Sequence, residues 1–270
     1  MWSVFDCADG VHQMSRDPSC RHLTAFVTPT GVYQLTVLPM GVKNGPSLFQ
    51  RLMQWVLRDC KNAYIYIDDI IIGSQGDTEE ELVVNHTREV GAVLEALRKA
   101  KISLKGSKSK MFVREVQFCG HILANGTRRA VPSKICSVDK WTPENVKTTT
   151  DMKGFLGLVG WYEIYISQYA KTAAPLMNAL STVNSPKKRI TWDDSMKEAF
   201  HSLKAKLKAE VVLHIADAAK EFFIRCDASG YAIGGVLEQF CSEGDPLPRP
   251  IAFFSRKLTG SLEAGSYPHL

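Results

Sequence analysis

No stretch of this chain is apolar for the roughly 18 consecutive positions that a membrane span needs, so no membrane helix is expected. The first residues contain no basic-then-apolar leader, so no secretory signal is expected. Cysteine is sparse and scattered. There are seven, an odd number, with no C-x-x-C pair. That supports neither a zinc site nor a disulfide framework, and reduced thiols in an intracellular compartment are the simple expectation. Internal repeats and low-complexity segments are also missing. Charge of neither sign dominates: 33 Lys and Arg face 28 Asp and Glu, a net +5 that suits a polyanionic partner without selecting one. What is present is a 45% apolar content over 270 residues, enough for one large core or two smaller ones.

Against that background, Tyr66-Ile67-Asp68-Asp69 stands out, because two adjacent aspartates sit inside the apolar run 63–72. Burying ionised carboxylates costs several kcal/mol each unless a cation compensates them, and neighbouring like charges raise each other's pKa. Strand-forming residues flank the pair. An uninterrupted strand would send Asp68 and Asp69 to opposite faces. A hairpin tip at the pair would present both at one edge, ready for hard divalent cations that prefer oxygen ligands. Four residues alone also fit an acidic surface turn.

A third carboxylate strengthens the metal reading. Val4-Phe5-Asp6 reads as a short strand ending in Asp, and Asp9-Gly10 after it is turn chemistry. Taken alone, Asp6 is a turn or helix-cap residue. If the two strands are neighbours, Asp6 and Asp68 can share the same metals. Two magnesium ions held by carboxylates is the arrangement for in-line phosphoryl or nucleotidyl transfer.

With these residues in hand, the chain resembles the reverse transcriptase of gypsy-type LTR retrotransposons. Phe5-Asp6 with Val11-His12-Gln13 resembles the first catalytic block, and Thr24-Ala25-Phe26, Gly31 and Tyr33 follow it. Then come Leu38-Pro39-Met40-Gly41-Val42-Lys43-Asn44-Gly45-Pro46 and Phe49-Gln50-Arg51-Leu52-Met53. Tyr66-Ile67-Asp68-Asp69 is similar to the polymerase box, and Phe118-Cys119-Gly120-His121 to the primer-grip hairpin. Phe155-Leu156-Gly157-Leu158 and Ala174-Pro175-Leu176 resemble the thumb. Trp192, Glu198-Ala199-Phe200 and Leu203 open a region similar to the RNase H-like module, which reaches Asp227-Ala228-Ser229. Each motif is weak alone, and their shared order along nearly the whole chain carries the resemblance.

The resemblance implies an α+β fold: a right-hand polymerase palm at residues 1–130 with the fingers largely missing, a helical thumb at 131–185, and a linker with a truncated RNase H-like α/β domain at 186–270. It implies RNA-directed DNA synthesis, with Asp6, Asp68 and Asp69 as catalytic metal ligands for two Mg2+ ions, Mn2+ being the alternative. Val11, Met40, Gly41, Gln50 and Tyr66 would shape the nucleotide and template pocket, and Phe118, Cys119, Gly120 and His121 the primer grip. A proton donor to pyrophosphate would lie near Lys108, and Asp227 would be the first RNase H-like carboxylate. The other RNase H carboxylates would lie past residue 270, so no RNA cleavage is expected. The implied partners are an RNA template, a DNA primer, dNTPs and the remaining Pol segments (fingers, the rest of RNase H, integrase). The implied location is the cytoplasmic virus-like particle of the element, or the nucleus. Three residues depart from the family. Val11 replaces the aromatic that excludes a 2′-hydroxyl, Met40 stands where relatives carry Phe or Gln, and Glu163 replaces a thumb arginine. The competing class is a catalytically inactive retroelement remnant that at most binds nucleic acid.

Local patterns add detail. Helices are expected at residues 49–57, after the Asn44-Gly45-Pro46 breaker, and at 79–100, with an apolar stripe of Leu82, Val90, Val93, Leu94 and Leu97 behind three glutamates. Residues 116–123, Asn125-Gly126 and 128–131 read as a hairpin. Asp151 is the expected cap of a helix through Gly160, and Asp193 or Asp194 of one reaching Lys208. Strands follow at 221–226, 232–239 and 250–255. Trp161, Tyr162, Tyr165 and Tyr169 are expected in the core, and His86 and His121 in structural roles. Basic clusters at Arg98, Lys99, Lys101, Lys105, Lys108 and Lys110, at Arg128 and Arg129, and at Lys187, Lys188 and Arg189 suit phosphate contact or a solvated surface.

Overall fold

The computed structural model describes residues 1–181, 189–209, 211–228, 232–241 and 244–258. The chain divides into two compact units, Met1–Cys119 and Gly120–Leu270. Of the linker expected at residues 185–189, residues 185–188, with Lys187 and Lys188, lie outside the described residues, as does Ser229.

The first unit runs β1 (Trp2–Asp6), β2 (Phe26–Thr28), β3 (Gly31–Tyr33), α1 (Gly45–Val56), β4 (Ala63–Tyr66), β5 (Asp69–Gly73), α2 (Glu79–Ala100), β6 (Lys110–Val113) and β7 (Glu115–Phe118). Its main sheet has the order β4-β5-β1-β6. β5 is central, and its three isoleucines, Ile70, Ile71 and Ile72, are all buried. Phe49 and Met53 of α1 and Val90, Val93 and Leu97 of α2 join Phe5, Ile70 and Ile72 in one core. α2 occupies the range its pattern indicates. Thr78 caps it, and its three leading glutamates sit where the helix dipole favours negative charge. One stripe residue differs: Leu94, one step beyond Val93 and so about 100° around the helix, is exposed. His86 takes a place in the stripe instead. It is fully buried, with Ser3 Oγ and Ser74 Oγ each 2.7 Å from a ring nitrogen. α1 begins four residues before the expected start, because Pro46 falls in its first turn, where proline is pre-organised for a helix rather than a breaker.

The second unit runs β8 (His121–Ala124), β9 (Thr127–Ala130), α3 (Pro132–Cys136), α4 (Thr149–Trp161), α5 (Tyr169–Ser181), α6 (Asp194–Lys208), β10 (Leu213–His214), β11 (Phe223–Ala228), β12 (Ala232–Gln239) and β13 (Arg249–Lys257). The strand expected over 116–123 is broken at Cys119-Gly120, where both residues have positive φ (45° and 80°). β8 and β9 form the hairpin, with Asn125 and Gly126 at φ 48° and 70° in its turn. Thr148, not Asp151, caps α4. Asp151 completes a capping box by accepting from the Thr148 backbone N–H at 2.8 Å. Asp193 caps α6. Met152, Phe155 and Val159 of α4, Ala173 and Leu176 of α5, and Phe200 and Leu203 of α6 share a single core, so helices on both sides of the expected 185/186 boundary pack together. Phe155 and Phe200 have ring centroids 4.2 Å apart. Tyr162, Tyr165 and Tyr169 are buried there, whereas Trp161 is exposed. β11-β12-β13 form an antiparallel sheet, with β11 two residues further along the chain than expected.

Candidate active site

Antiparallel pairing of β1 with β5 makes Asp6 and Asp69 direct partners across the sheet. β4 and β5 pair as far as Tyr66 and Asp69, which leaves Ile67-Asp68 as the two-residue loop. The hairpin tip is therefore one residue earlier than the Asp68-Asp69 pair, and Asp69 opens β5. The expected neighbourhood of the strands carrying Asp6 and the aspartate pair is present.

The tip is held under strain. Ile67 has φ 54°, a left-handed conformation that β-branched residues avoid. Gln50 of α1 clamps it: the Ile67 N–H donates to Gln50 Oε1 at 2.6 Å, and Gln50 Nε2 donates to the Ile65 carbonyl at 3.2 Å. Gln50→Leu keeps the volume and deletes both bonds. We expect destabilisation of about 1–3 kcal/mol, the cost of stranding a half-buried donor and acceptor, measured by urea unfolding. An unchanged midpoint would sink this assignment.

The carboxylates perturb one another. Burial first, then Asp6 and Asp69, push the Asp68 carboxyl above the usual carboxylate range, while Lys108 pulls it down. Asp69 is raised by burial and then by Asp6, again opposed by Lys108. Asp6 Oδ2 accepts from Lys108 Nζ at 3.1 Å. The neighbouring Cys7 thiol is pushed up to about 12 by burial and by the three aspartates. Asp68 Oδ1 is buried and, among the described residues, has no hydrogen-bond partner. An orphaned buried carboxylate oxygen is a place for a cation, and an all-oxygen donor set suits a hard divalent ion. The donors lie near one another without closing on a single point: among the described residues no three His, Cys, Asp or Glu side chains converge into a ready metal cage.

Two residues to which the sequence patterns assign no separate role support the site. Gly10 lies so close that a Cβ on it would fall 2.1 Å from Asp68 Oδ1. The only local signal for it is the Asp9-Gly10 turn dipeptide. Gln13 Nε2 donates to the carbonyls of Ala8 (2.6 Å) and Ser103 (3.1 Å), and the Ser103 N–H returns a bond to Gln13 Oε1 at 2.6 Å. The two bonds to Ser103 fasten the short 3-10 turn Gly10–Gln13, which carries Val11, to residue 103, and the third ties it to Ala8.

The other expected pocket residues spread around this centre. Val11 is half-buried, and a Cβ on Gly45 would lie 3.6 Å from its Cγ1. Tyr66 and Met40 are exposed, and Gly41 has φ 84° with open space beside it. Of the residues expected in a primer grip, Phe118 and Cys119 belong to the first unit, and Gly120 and His121 to the second. Burial and Asp69 push the Cys119 thiol up. In the second unit Tyr162 OH donates to the Gly120 carbonyl at 3.1 Å, and Tyr165 OH lies 2.9 Å from His121 Nδ1. Burial, then Arg128, lowers His121. Asp227 is exposed on β11 opposite Gly234 and lines a cavity of about 180 Å³ with Gln168, Arg225 and Phe253. Glu238, on the next strand, is committed elsewhere: it is buried and bonded to Arg225, Nε to Oε2 at 2.6 Å.

A family model described as reverse transcriptase (RNA-dependent DNA polymerase) matches residues 1–123, and one described as an RNase H-like domain found in reverse transcriptase matches residues 192–265. The chain is 34% identical over 272 residues to the retrovirus-related Pol polyprotein from transposon opus of Drosophila melanogaster, a match covering 97% of this chain and 26% of that protein. It is 30% identical over 267 residues to the Pol polyprotein from transposon gypsy of the same organism, covering 95% and 24%. The chain thus spans about a quarter of the length of these relatives. Among solved structures, the foamy viral protease-reverse transcriptase in complex with RNA/DNA hybrid aligns with a TM-score of 0.80 at 20% identity, over 97% of this chain and 34% of that one. The same protein with dsDNA aligns with a TM-score of 0.79 at 20% identity, over 96% and 52%. This likeness is one of fold.

Proposed function

Because the chain belongs to the reverse transcriptase family of LTR-retrotransposon Pol polyproteins, we propose that it contributes the polymerase active site of RNA-directed DNA synthesis. The observation that carries this reading is the register of Asp6 with Asp69 beside the unpartnered Asp68 oxygen. Binding a nucleic acid alone gives no reason to gather three carboxylates where phosphates would approach.

In this reading Asp6, Asp68 and Asp69 would hold two Mg2+ ions. When bound, these supply charge neutralisation for the attacking primer 3′-hydroxyl and the departing pyrophosphate. The chain's own residues do the positioning. The Gln50 clamp sets the height of the turn, and Gln13 fixes the turn carrying Val11 beneath the incoming sugar. Tyr66 and Gly41 line the nucleotide and template side, and Phe118 to His121 steer the primer end. The net charge of +5 suits a template–primer duplex. The palm is assigned to residues 1–130, the thumb to 131–185 and the RNase H-like region, with Asp227 as its first carboxylate, to 186–270. The site of action is the particle of the element in the cytoplasm, or the nucleus.

A second reading, an inert remnant that only binds nucleic acid, draws support from Asp6 being paired with Lys108. Magnesium-dependent extension of a DNA primer on an RNA template separates the two, measured on this chain and on a longer polyprotein that carries it. Extension abolished by Asp68→Asn/Asp69→Asn supports the polymerase. Tight template–primer binding without extension in either protein supports the remnant.

Val11 sets a further expectation. Its small side chain leaves room for a 2′-hydroxyl, so discrimination between deoxy- and ribonucleotides is weak. Val11→Tyr should raise the dNTP-to-rNTP ratio of kcat/KM by roughly ten- to a hundredfold, the range one steric group adds. An unchanged ratio would remove Val11 from beneath the sugar.

A further inference from the structure

A proton donor near Lys108 would face pyrophosphate, yet here the Lys108 ammonium is engaged with a carboxylate of the acidic site. It meets Asp6 Oδ2 at 3.1 Å, beside the unpartnered buried oxygen of Asp68. The contact is built in by the backbone. Lys108 ends the 3-10 turn Gly106–Lys108, and the approach to that turn is pinned to the Asp6 strand end. The Lys105 N–H donates to the Asp6 carbonyl at 2.8 Å, the Ala8 N–H donates to Ser103 O at 2.9 Å, and Cys7 bridges Leu104 between them. The Ser109 hydroxyl adds a bond back to Lys105 O at 3.0 Å. The carboxylate and its lysine are thus carried on two segments bonded to each other. Yet the Lys108 side chain is 58% exposed and that of Asp6 20%, so the lysine can swing into solvent while Asp6 stays.

We propose that Lys108 is the resident counter-ion of the acidic site, released from Asp6 when a divalent cation binds, so that the two cations compete for one carboxylate. The inference rests on the metal reading given above. It explains why three aspartates are near one another without converging: one of them is already satisfied. A dication and an ammonium on the same carboxylate repel each other, so each loosens the other's hold. The consequence is a pair of opposite effects. Removing the charge at Lys108 weakens the metal-free protein, because the three carboxylates lose the cation that offsets their mutual repulsion. The same change strengthens metal binding, because the competing ammonium is gone. A lysine that serves only as a proton donor, or only as a structural prop, does not produce both.

The experiment measures free Mn2+ by its paramagnetic resonance signal during titration, together with melting temperature with and without Mn2+. The proteins are the unaltered chain, Lys108→Gln, Lys108→Ala, Lys108→Arg and Asp68→Asn/Asp69→Asn. Lys108→Gln keeps a donor for Asp6 and serves if Lys108→Ala fails to fold. We expect Mn2+ binding roughly two- to fivefold tighter in Lys108→Gln, the scale of a partly exposed ion pair, and near-native binding in Lys108→Arg. Lys108→Gln should melt lower without metal and at or above the unaltered chain when saturated, with the gap narrowing as salt rises. Equal or weaker Mn2+ binding by the neutral Lys108 variants, while Asp68→Asn/Asp69→Asn loses it, overturns the competition and leaves the metal site standing. No Mn2+ bound by any of the proteins overturns the metal reading, and the competition with it.

Discussion

Asp68→Asn should reduce primer extension by at least about a hundredfold, the scale of losing one group that stabilises developing charge, and at the same time make the metal-free protein more stable at neutral pH. The two effects have one origin. Burial and the neighbouring Asp6 and Asp69 raise the Asp68 carboxyl above its ordinary 3.8, and Asp69 is raised likewise. A group raised in the folded state contributes stability that is full below its unfolded pKa and is lost as pH rises through the folded value. The ionised pair is therefore a burden on the metal-free protein at pH 7, and an amide of the same shape removes part of it. The gain in melting temperature for Asp68→Asn should appear between the ordinary carboxylate range and neutrality and then level off. Adding Mg2+ should stabilise the unaltered chain and not the Asp68→Asn/Asp69→Asn variant, since only a species that binds the folded state stabilises it. Melting curves across pH, with and without Mg2+, check the stability effects, and the primer-extension rate checks the loss of activity. An Asp68→Asn protein that is both inactive and less stable would make Asp68 a structural residue.

How much of this is legible in the sequence depends on the range of the interaction. The central strand and its partner are readable because Phe5-Asp6 and Asp69-Ile70 each set an acid against a strand-forming apolar residue. Helix α2 is readable because its glutamates, its stripe and its length agree. The position of the hairpin tip is not. Nothing local favours Ile67 at φ 54°, and the residue that holds it there, Gln50, comes from a different element. Likewise the break at Cys119-Gly120 is hidden inside a run that reads as strand, because Cys119 adopts a positive φ that its residue type does not advertise. The cap of α4 is misplaced by three residues because both members of a Thr148–Asp151 capping box are plausible caps and only geometry orders them. Glu238 lies on the strand after Asp227, and only the structure shows it bound to Arg225. The Asp6–Lys108 pair joins residues whose nearness depends on the end of β1 being bridged to the segment after α2. Local chemistry named the acids; the distances between elements assigned their partners.

Gly10 is the clearest case of a residue whose role lies in what it lacks, and altering it should have an effect nearly as large as removing Asp68. A Cβ at Gly10 would fall 2.1 Å from Asp68 Oδ1, 2.9 Å from its Cγ and 3.0 Å from Phe49 Cε1. Phe49 cannot yield, since it is fully buried in the core beneath the sheet. The carboxylate must turn away instead, and Asp68 has little freedom on a two-residue loop clamped by Gln50. Gly10→Ala should rotate the carboxylate out of its present place. Gly10→Val adds two further methyl groups to the same space and should leave no conformer near it. Displacement of a catalytic group by about 1 Å can cost on the order of a hundredfold in rate, so Gly10→Val should lose about that much extension, and Gly10→Ala less. Stability should not follow in proportion. Replacing glycine stiffens the unfolded chain, which offsets part of any strain in the short turn. The discriminating comparison is therefore the extension rate and Mn2+ affinity against the unfolding midpoint. A folded Gly10→Val protein with native extension and native Mn2+ binding would mean that the Asp68 oxygen now packed against Gly10 takes no part in the reaction.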